Sequence, residues 1–159
     1  MVNVTFITVG SLKEDYLKKA VDEYKKRLSG FCKPNIVELK EVKLSDDPSK
    51  NEIAAALDAE SERIMGAIPP RAYKVALCVE GKQMSSEKLA ETIDRAQMEH
   101  SDICFIIGSS HGLSDRVKRA ADLRLSFSEL TFPHQLMRVI LAEAVYRAFT
   151  IIKGTKYHK

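Results

Sequence analysis

The chain has 159 residues, of which 45% are hydrophobic and 30% are charged, and its formal net charge is +3. This length is enough for one domain that buries its core without disulfides or metal ions, whereas two domains would be cramped, so we expect residues 1–159 to form a single domain. No apolar run approaches the roughly 20 residues that a membrane span needs, which argues against a membrane protein. The small net charge does not by itself demand a polyanionic partner.

The cysteines and the N-terminus indicate the compartment in which the protein works. Cys32, Cys78 and Cys104 form no CxxC pair, and the last two lie in apolar, strand-like runs. We therefore expect buried thiols in a reducing compartment. The opening MVNVTFITVG lacks the basic start and the small-residue cleavage site of a signal peptide. The sequence thus predicts a cytoplasmic protein that begins with a strand.

The first strand–helix unit is predicted at the N-terminus. A β-rich run, Val2–Val9, precedes Ser11 and Glu14, whose spacing is that of a capping box for a helix that ends near Gly30. The apolar stripe predicted for this helix is Leu12, Tyr16, Ala20, Tyr24 and Leu28.

A second unit follows it. Alternating apolar and charged residues in Ile36–Val42 favour a half-exposed strand. After a polar loop, a helix runs up to the pair Pro69–Pro70. The residues that mark this helix are Ile53, Leu57, Ser61, Ile64 and Ile68.

Short continuous apolar runs in the second half predict strands that are covered on both faces of a parallel sheet. They are Val75–Val79, which is ended by Gly81–Lys82, and Ile103–Ile107. Between them, Ser85 or Ser86 caps a helix. The resulting βαβαβαβ order implies right-handed crossovers and an α/β fold with a doubly wound sheet.

The last third adds a short helix at about Ser114–Ala121, a strand at Leu123–Phe127 and a long helix after Pro133. His134 opens that helix, where the helix dipole disfavours imidazolium and favours anions. It either takes part in chemistry or simply closes the first turn. The apolar face of the helix is too broad to pack on one sheet alone, so we expect a second subunit to bury part of it.

The run GSSHG, Gly108–Gly112, matches the G-x-S-x-G pattern of a hydrolase nucleophile elbow. Ser110 is the nucleophile in a serine hydrolase of this kind. The other triad members would be Asp115 or Asp122 and His134 or His158. In the competing interpretation, the glycines let backbone N–H groups approach a ligand at the end of a central strand. A non-catalytic α/β module that binds RNA is a further alternative.

Other common sites are not indicated. The chain has no GxxxxGK[ST] run and no GxGxxG spacing, which disfavours NTPase and dinucleotide sites. The four histidines lie far apart without partners at ligand spacing, so we expect no metal. Two clusters of basic residues form either a basic patch or an ordinary solvated face. They are Arg116, Lys118, Arg119 and Arg124, and then Lys153, Lys156 and Lys159.

Several longer stretches point to one family when they are taken together. They are FITVGSLK (6–13), LCVEGK (77–82), FIIGSSHGL (105–113), LSFSELTFPHQLMRV (125–139), AEAVYRAF (142–149) and YHK (157–159). Over essentially the whole chain, this set resembles the RlmH-type ribosomal RNA methyltransferases of the SPOUT superfamily. The most specific parts are the TFPHQLMR run and the Tyr157–His158 ending.

This resemblance implies a homodimeric enzyme that uses S-adenosylmethionine to methylate N3 of a pseudouridine in the helix-69 loop of 23S ribosomal RNA, on the assembled ribosome. It also implies a SPOUT-type, mostly parallel sheet that is flanked by helices. The resemblance further implies a deep trefoil knot near the C-terminus, which is an exception to the rule that protein chains are unknotted.

The resemblance also implies site residues. Those expected to bind the cofactor are Leu77, Gly108, Phe127, Ser128, Glu129, Leu130, Thr131 and Phe132. Of the residues expected to be catalytic, His158 in the tail is the candidate base for the N3 proton. Arg138 and His134 would stabilise negative charge or hold phosphate, and Tyr157 would stack on a base.

One position departs from the family pattern. Ser109 stands where the family usually has a second glycine after the strand. If this position requires a positive φ, the serine costs about 1 kcal/mol of backbone strain.

Overall fold

Five parallel strands form the sheet at the centre of the protein, which is described here by a computed structural model of residues 1–159. Strands and helices alternate along the chain, and the strand order in the sheet is β2-β1-β4-β3-β5. The elements are β1 (Asn3–Val9), α1 (Asp15–Leu28), β2 (Lys33–Leu39), α2 (Lys50–Ala67), β3 (Tyr73–Lys82), α3 (Ser86–Glu99), β4 (Asp102–Ile107), α4 (Asp115–Ala120), β5 (Leu123–Leu125) and α5 (His134–Lys153). The predicted parallel sheet flanked by helices is therefore confirmed, while the trefoil knot stays a prediction.

The central strand β4 shows how the sheet separates two hydrophobic cores. Ile103 and Phe105 point into the core that α1, α3 and α5 cover, and Cys104 and Ile106 point into the core that α2 and α4 cover. The ring of Phe105 stacks on that of Phe6 in β1, with 5.6 Å between centroids. Alternating side chains on a strand with apolar neighbours on both faces explain the continuous apolar run in the sequence.

The first helix differs from its prediction. α1 begins only at Asp15, and its N-cap Glu14 makes no side-chain capping bond, so the capping box of Ser11 and Glu14 is wrong. The amides before the helix find distant partners instead, because Leu12 N–H donates to Glu38 and Lys13 N–H donates to Gln135. The buried face of the helix therefore differs from the predicted apolar stripe. Tyr16 is 68% exposed, and the buried residues of α1 are Leu17, Val21 and Leu28.

Local capping signals worked better elsewhere. Ser85 caps α3 as predicted, and Ser114 caps α4. The box of Ser49 and Glu52 that caps α2 is also a sequence signal, which the analysis of apolar positions missed. The edge strand β2 runs from Lys33 to Leu39 rather than from 36 to 42.

Gly81 does not end β3, contrary to expectation. The strand continues to Lys82, whose carbonyl accepts a hydrogen bond from Ser126 N–H at 3.0 Å. A Cβ on Gly81 would lie 2.8 Å from the backbone of Arg124, so glycine at this position lets the backbones of β3 and β5 approach each other closely. The register between β3 and β5 shifts between Leu77 and Lys82, and the segment between them bulges out of the ladder.

The strand predicted at Leu123–Phe127 ends early, at Leu125. Residues 126–133 form a loop, and α5 then runs from His134 to a left-handed C-cap at Gly154. Because all strands are parallel, the loops that follow β3, β4 and β5 meet at one edge of the sheet. None of the helices combines the length and apolarity that crossing a membrane requires.

Candidate functional site

A cavity of about 740 Å³ lies at the carboxyl ends of β3, β4 and β5. This volume is within the range of roughly 300–1,000 Å³ that is usual for small-molecule sites. Its walls are residues 77–80 of β3, the loop after β4, residues 125–128 and 130–134, and parts of α4 and α5. Of the eight residues expected to bind a cofactor, the lining includes Leu77, Gly108, Phe127, Ser128, Leu130, Thr131 and Phe132. Glu129 is exposed and is not part of the lining.

The loop after β4 is folded tightly onto itself. Gly112 N–H donates to the carbonyl of Ser109 at 2.8 Å, and Gly112 has a φ of +84°. A Cβ on Gly108 would clash with the carbonyl of Gly112, so only glycine fits at this position. The fold of this loop leaves backbone groups along the cavity, which is what close approach to a ligand requires.

Ser109 is not strained, because Arg71 is the only residue other than glycine with a positive φ. Its hydroxyl donates a hydrogen bond of 3.0 Å to Oε1 of Glu60 on α2, and both side chains are buried. The expected backbone strain therefore does not arise.

The loop of residues 126–133 is held by serines. Ser126 is 3% exposed, and its hydroxyl donates to the carbonyl of Ser128 at 3.1 Å. The Ser128 hydroxyl in turn accepts from Leu130 N–H at 3.0 Å. The turn leaves Leu130 and Phe132 beside Leu77 in the cavity lining, which gives the cavity an apolar part.

An ion pair that sequence reasoning missed lies in the same lining. Nζ of Lys118 on α4 is 2.5 Å from Oε1 of Glu80 on β3, and this hydrogen bond holds the pKa of Glu80 below its usual value. In the sequence, Lys118 is only one member of a basic cluster. Its partner is 38 positions away, so no local pattern could have revealed the pair. Arg116 of that cluster pairs with Glu62 on α2.

His134 is the only predicted catalytic residue that lines the cavity. It opens α5 and is half-buried. Burial, together with the positive charge of Arg138, lowers the pKa of His134. The imidazole is therefore neutral around neutral pH and can accept or donate one hydrogen bond.

Arg138 lies outside the cavity lining and is 6% exposed. Its guanidinium donates to Oε2 of Glu38 at 2.9 Å and to the carbonyls of Val9 and Gly10 at 3.0 and 2.8 Å. These bonds tie the first turns of α5 to the carboxyl ends of β1 and β2. Burial lowers the pKa of Arg138, against the opposing effect of Glu38.

The C-terminal tail is packed elsewhere. The ring of Tyr157 contacts Tyr146 edge-on, with 4.9 Å between centroids, and Arg147 lies 4.7 Å from the Tyr157 centroid. Arg147 also donates to Nδ1 of His158, whose Nε2 is 2.7 Å from Oε1 of Glu87. Neither Tyr157 nor His158 lines the cavity. The structure thus brings the predicted cofactor residues together with His134 but not with the tail.

The serine hydrolase alternative is not supported by the geometry. Ser110 lies in the cavity lining, but Asp122 pairs with Lys74 and His158 pairs with Glu87. No triad of serine, histidine and aspartate is assembled around Ser110. No group of three or more His, Cys, Asp or Glu side chains is placed to hold a metal ion.

Comparisons with known proteins find relatives along the whole chain. A family described as "Predicted SPOUT methyltransferase" matches residues 2–158 of the chain. Curated proteins named "Ribosomal RNA large subunit methyltransferase H" from Bacillus pumilus and Clostridioides difficile are 50% and 49% identical to it. Each alignment covers 99% of this chain and 100% of the relative.

Solved structures show the same fold at low identity. A probable methyltransferase from Bordetella pertussis superposes with a TM-score of 0.58 at 14% identity, covering 93% of this chain and 96% of that one. A tRNA (m1G37) methyltransferase from Aquifex aeolicus superposes with a TM-score of 0.51 at 14% identity, covering 91% of this chain and 69% of that one.

Proposed function

The chain belongs to the SPOUT methyltransferase family, and on that premise we propose that it transfers a methyl group to N3 of a pseudouridine in the helix-69 loop of 23S ribosomal RNA. The acceptor nucleotide is part of the assembled ribosome, so the enzyme acts in the cytoplasm. Relatives that are half identical to the chain from end to end are named as methyltransferases of large-subunit ribosomal RNA, which supports this class of substrate.

The methyl donor is S-adenosylmethionine, and the cavity fits it. The observation that carries the proposal is the 740 Å³ cavity at the strand ends, which seven of the eight expected cofactor residues line. Leu77, Leu130 and Phe132 supply an apolar slot for the adenine ring, and the loop around Gly108 supplies backbone hydrogen-bonding groups. Lys118 and Glu80 add opposite charges to the same lining, which suits the charged amino-acid end of the cofactor.

When bound, S-adenosylmethionine supplies an electrophilic methyl group on its sulfonium. The protein has to hold the acceptor nitrogen in line with that group, and alignment of this kind accounts for much of the rate gain in bimolecular reactions. The imide proton on N3 also has to leave, which calls for a base or for stabilisation of the deprotonated ring. His134 is the first residue of α5, lines the cavity and has a lowered pKa. We expect its neutral imidazole to hydrogen-bond the pseudouridine ring.

In this proposal, Arg138 positions His134 and does not contact the substrate. Its three hydrogen bonds fix the turn of α5 that carries His134 in the cavity lining. Its charge also lowers the pKa of His134. Arg138 therefore influences the developing negative charge through His134 and not by direct contact.

His158 does not line the cavity of its own chain and is held by Arg147 and Glu87. Its partner Arg147 lies thirteen residues along α5 from His134, which is about 20 Å of helix. We therefore propose a homodimer in which the tail of each chain brings Tyr157 and His158 to the cavity of the other. Leu130 and Leu136 offer apolar surface for that contact, because their side chains are 71% and 39% exposed.

The decisive experiment is mass mapping of 23S ribosomal RNA from cells with and without the gene. The proposal expects one methyl group on a pseudouridine of the helix-69 loop to disappear in the deletion and to return with the gene. An unchanged modification pattern contradicts the proposed target.

Purified components test the cofactor and the assembled substrate. Calorimetry is expected to show about one S-adenosylmethionine per chain, since each chain has one such cavity. Methyl transfer to 70S ribosomes is expected to be much faster than transfer to a protein-free helix-69 hairpin. Equal rates on both contradict recognition of the assembled ribosome, and absence of cofactor binding contradicts the methyltransferase itself.

A further inference from the structure

Glu60 is a buried carboxylate in the middle of α2 and is 3% exposed. Its Oε1 accepts the hydroxyl of Ser109 at 3.0 Å, and its Oε2 accepts Val42 N–H at 3.0 Å. No lysine, arginine or histidine lies within salt-bridge distance of it. Both carboxylate oxygens are thus held by neutral donors alone.

This arrangement has a high free-energy cost if its only role is to stabilise the fold. Burying a carboxylate without a cationic partner is costly, and a neutral side chain would hold a helix against a sheet with less desolvation. Hydrogen bonds from neutral donors recover part of this energy, and here both donors belong to loops. The position of those loops is therefore the feature that the carboxylate secures.

The first loop forms a wall of the cofactor cavity. Ser109 lies between Gly108, which lines the cavity, and the tight turn in which its own carbonyl accepts Gly112 N–H. Ser109 itself lines the cofactor cavity on one side and a smaller cavity beside Glu60 on the other. A bond to its hydroxyl consequently sets how far this wall stands from α2.

The second loop lies outside the cavity lining but carries a charge that acts on His134. Val42 follows Glu41, whose Oε2 lies close enough to Gly10 that a Cβ there would be 3.1 Å from it. The Glu41 carboxylate also acts electrostatically on His134, raising its pKa against the effect of burial. Glu60 therefore connects the wall next to Gly108 with the loop that carries Glu41.

We propose that Glu60 is a positioning residue of the methyltransferase site, which through Ser109 and Val42 holds the loop after β4 and the loop after β2 in the shape that binds S-adenosylmethionine. This role rests on the proposed function, since it assigns that cofactor to the cavity. Glu60 itself does not line the cofactor cavity and acts only through the two loops.

The test is a double-mutant cycle of Glu60→Gln and Ser109→Ala, with Glu62→Gln as the matched control. Glutamine keeps the size of the side chain but offers one acceptor oxygen where two are used, and alanine removes only the hydroxyl. Glu62 is two positions along α2, and its side chain is 69% exposed and pairs with Arg116. Three quantities are measured for each variant: the Kd for S-adenosylmethionine, hydrogen exchange of residues 108–113 without cofactor, and thermal unfolding.

Each single variant is expected to weaken cofactor binding about tenfold, and the double variant to lose clearly less than the product of the two, because both changes break the same contact. Exchange at the Gly112 amide is expected to rise in both variants, and Glu62→Gln is expected to match the native protein in Kd and exchange. Ser109→Ala decides the matter if Glu60→Gln does not fold, since it changes only one hydroxyl.

Lower unfolding temperatures with unchanged Kd and unchanged loop exchange overturn the proposal, because Glu60 then serves stability alone. Losses of affinity that multiply in full also overturn it, because the two residues then act independently. If the native protein binds no S-adenosylmethionine, the proposed function fails, whereas the exchange of residues 108–113 still decides whether Glu60 positions the loop.

Discussion

Gly81 lies where the backbones of β3 and β5 come closest, and it is the residue whose replacement should damage the sheet most. Gly81→Ala places a Cβ 2.8 Å from the backbone of Arg124. Because backbone cannot move aside as a side-chain tip can, we expect a loss of about 2 kcal/mol or more in the free energy of unfolding. Urea denaturation followed by circular dichroism measures it.

Gly66→Ala is the matched control for that change. Gly66 lies near the end of α2, and a Cβ there meets nothing within 4 Å. Alanine should therefore stabilise the helix by up to about 1 kcal/mol. Equal effects of the two substitutions would show that the close approach at Gly81 has no energetic weight.

The pKa of His134 links a single side chain to pH. Burial lowers this pKa in the folded protein, while the unfolded chain keeps a histidine pKa of about 6.5. Just below that value the unfolded chain binds a proton that the folded chain does not, so the folded state loses stability as the pH falls from about 6.5. His134→Gln should flatten this part of the profile of unfolding free energy against pH. An unchanged slope in this variant, measured by urea denaturation at a series of pH values, would mean that His134 is not its source.

At the scale of elements, one buried guanidinium ties the first turns of α5 to the ends of β1 and β2. Arg138→Met removes its bonds to Glu38 and to the carbonyls of Val9 and Gly10, leaving those carbonyls without this donor. We expect a loss of about 2 kcal/mol in the free energy of unfolding, because two backbone carbonyls lose the buried donor that satisfies them. Lys88→Met breaks an exposed i,i+3 pair with Glu91 and should cost no more than about 0.5 kcal/mol. Similar losses in both variants, measured by chemical denaturation, would remove the anchoring role of Arg138.

Elements whose signals are local could be predicted from the sequence, and the others could not. Ser85 caps α3 as its spacing predicts, because an N-cap depends on neighbours within one turn. The start of α1 was predicted wrongly, because Glu38 and Gln135 compete for the amides before it from 26 and 122 positions away. The prediction that Gly81 ends a strand is wrong, because the close approach of Gly81 to the backbone of β5 is visible only in three dimensions.

The candidate site divides in the same way. The resemblance of longer motifs named the loop segments of the cavity, since such motifs are contiguous in sequence. Two side-chain pairs of the site join distant positions. Lys118 bonds to Glu80, 38 positions away, and Ser109 bonds to Glu60, 49 positions away. The sequence around these four residues contains no motif that indicates the pairing. Such side-chain pairs follow from packing, which composition and periodicity do not encode residue by residue.

At the scale of the whole molecule, the proposed exchange of tails between two chains predicts complementation. Gly108→Ala damages the cofactor cavity and keeps the tail, whereas His158→Ala keeps the cavity and damages the tail. In a mixed dimer with tails in trans, one of the two sites has both native halves. An equal mixture of the two inactive variants, refolded together, should therefore regain about a quarter of native methyl transfer to ribosomes.

The control for this mixture is each variant refolded with itself, after thermal unfolding has shown that it is folded. No recovery in the mixture, with mixed dimers demonstrated by mass spectrometry, would mean that cavity and tail act within one chain. Recovery in a single variant alone would mean that its substitution is not inactivating.

The contacts of α5 have a consequence for how the protein comes into being. Gln135 bonds to Lys13 across 122 positions and Arg138 to Glu38 across 100, and α5 contributes Leu141, Val145, Ala148 and Phe149 to one of the two cores. During synthesis the first strands therefore leave the ribosome with an apolar face that α1 and α3 cover only in part until α5 has been made. Contacts of such high sequence separation also slow folding, because the loop has to close before they form. We expect the nascent chain to remain incompletely folded, and dependent on protection of that face, until α5 has been translated.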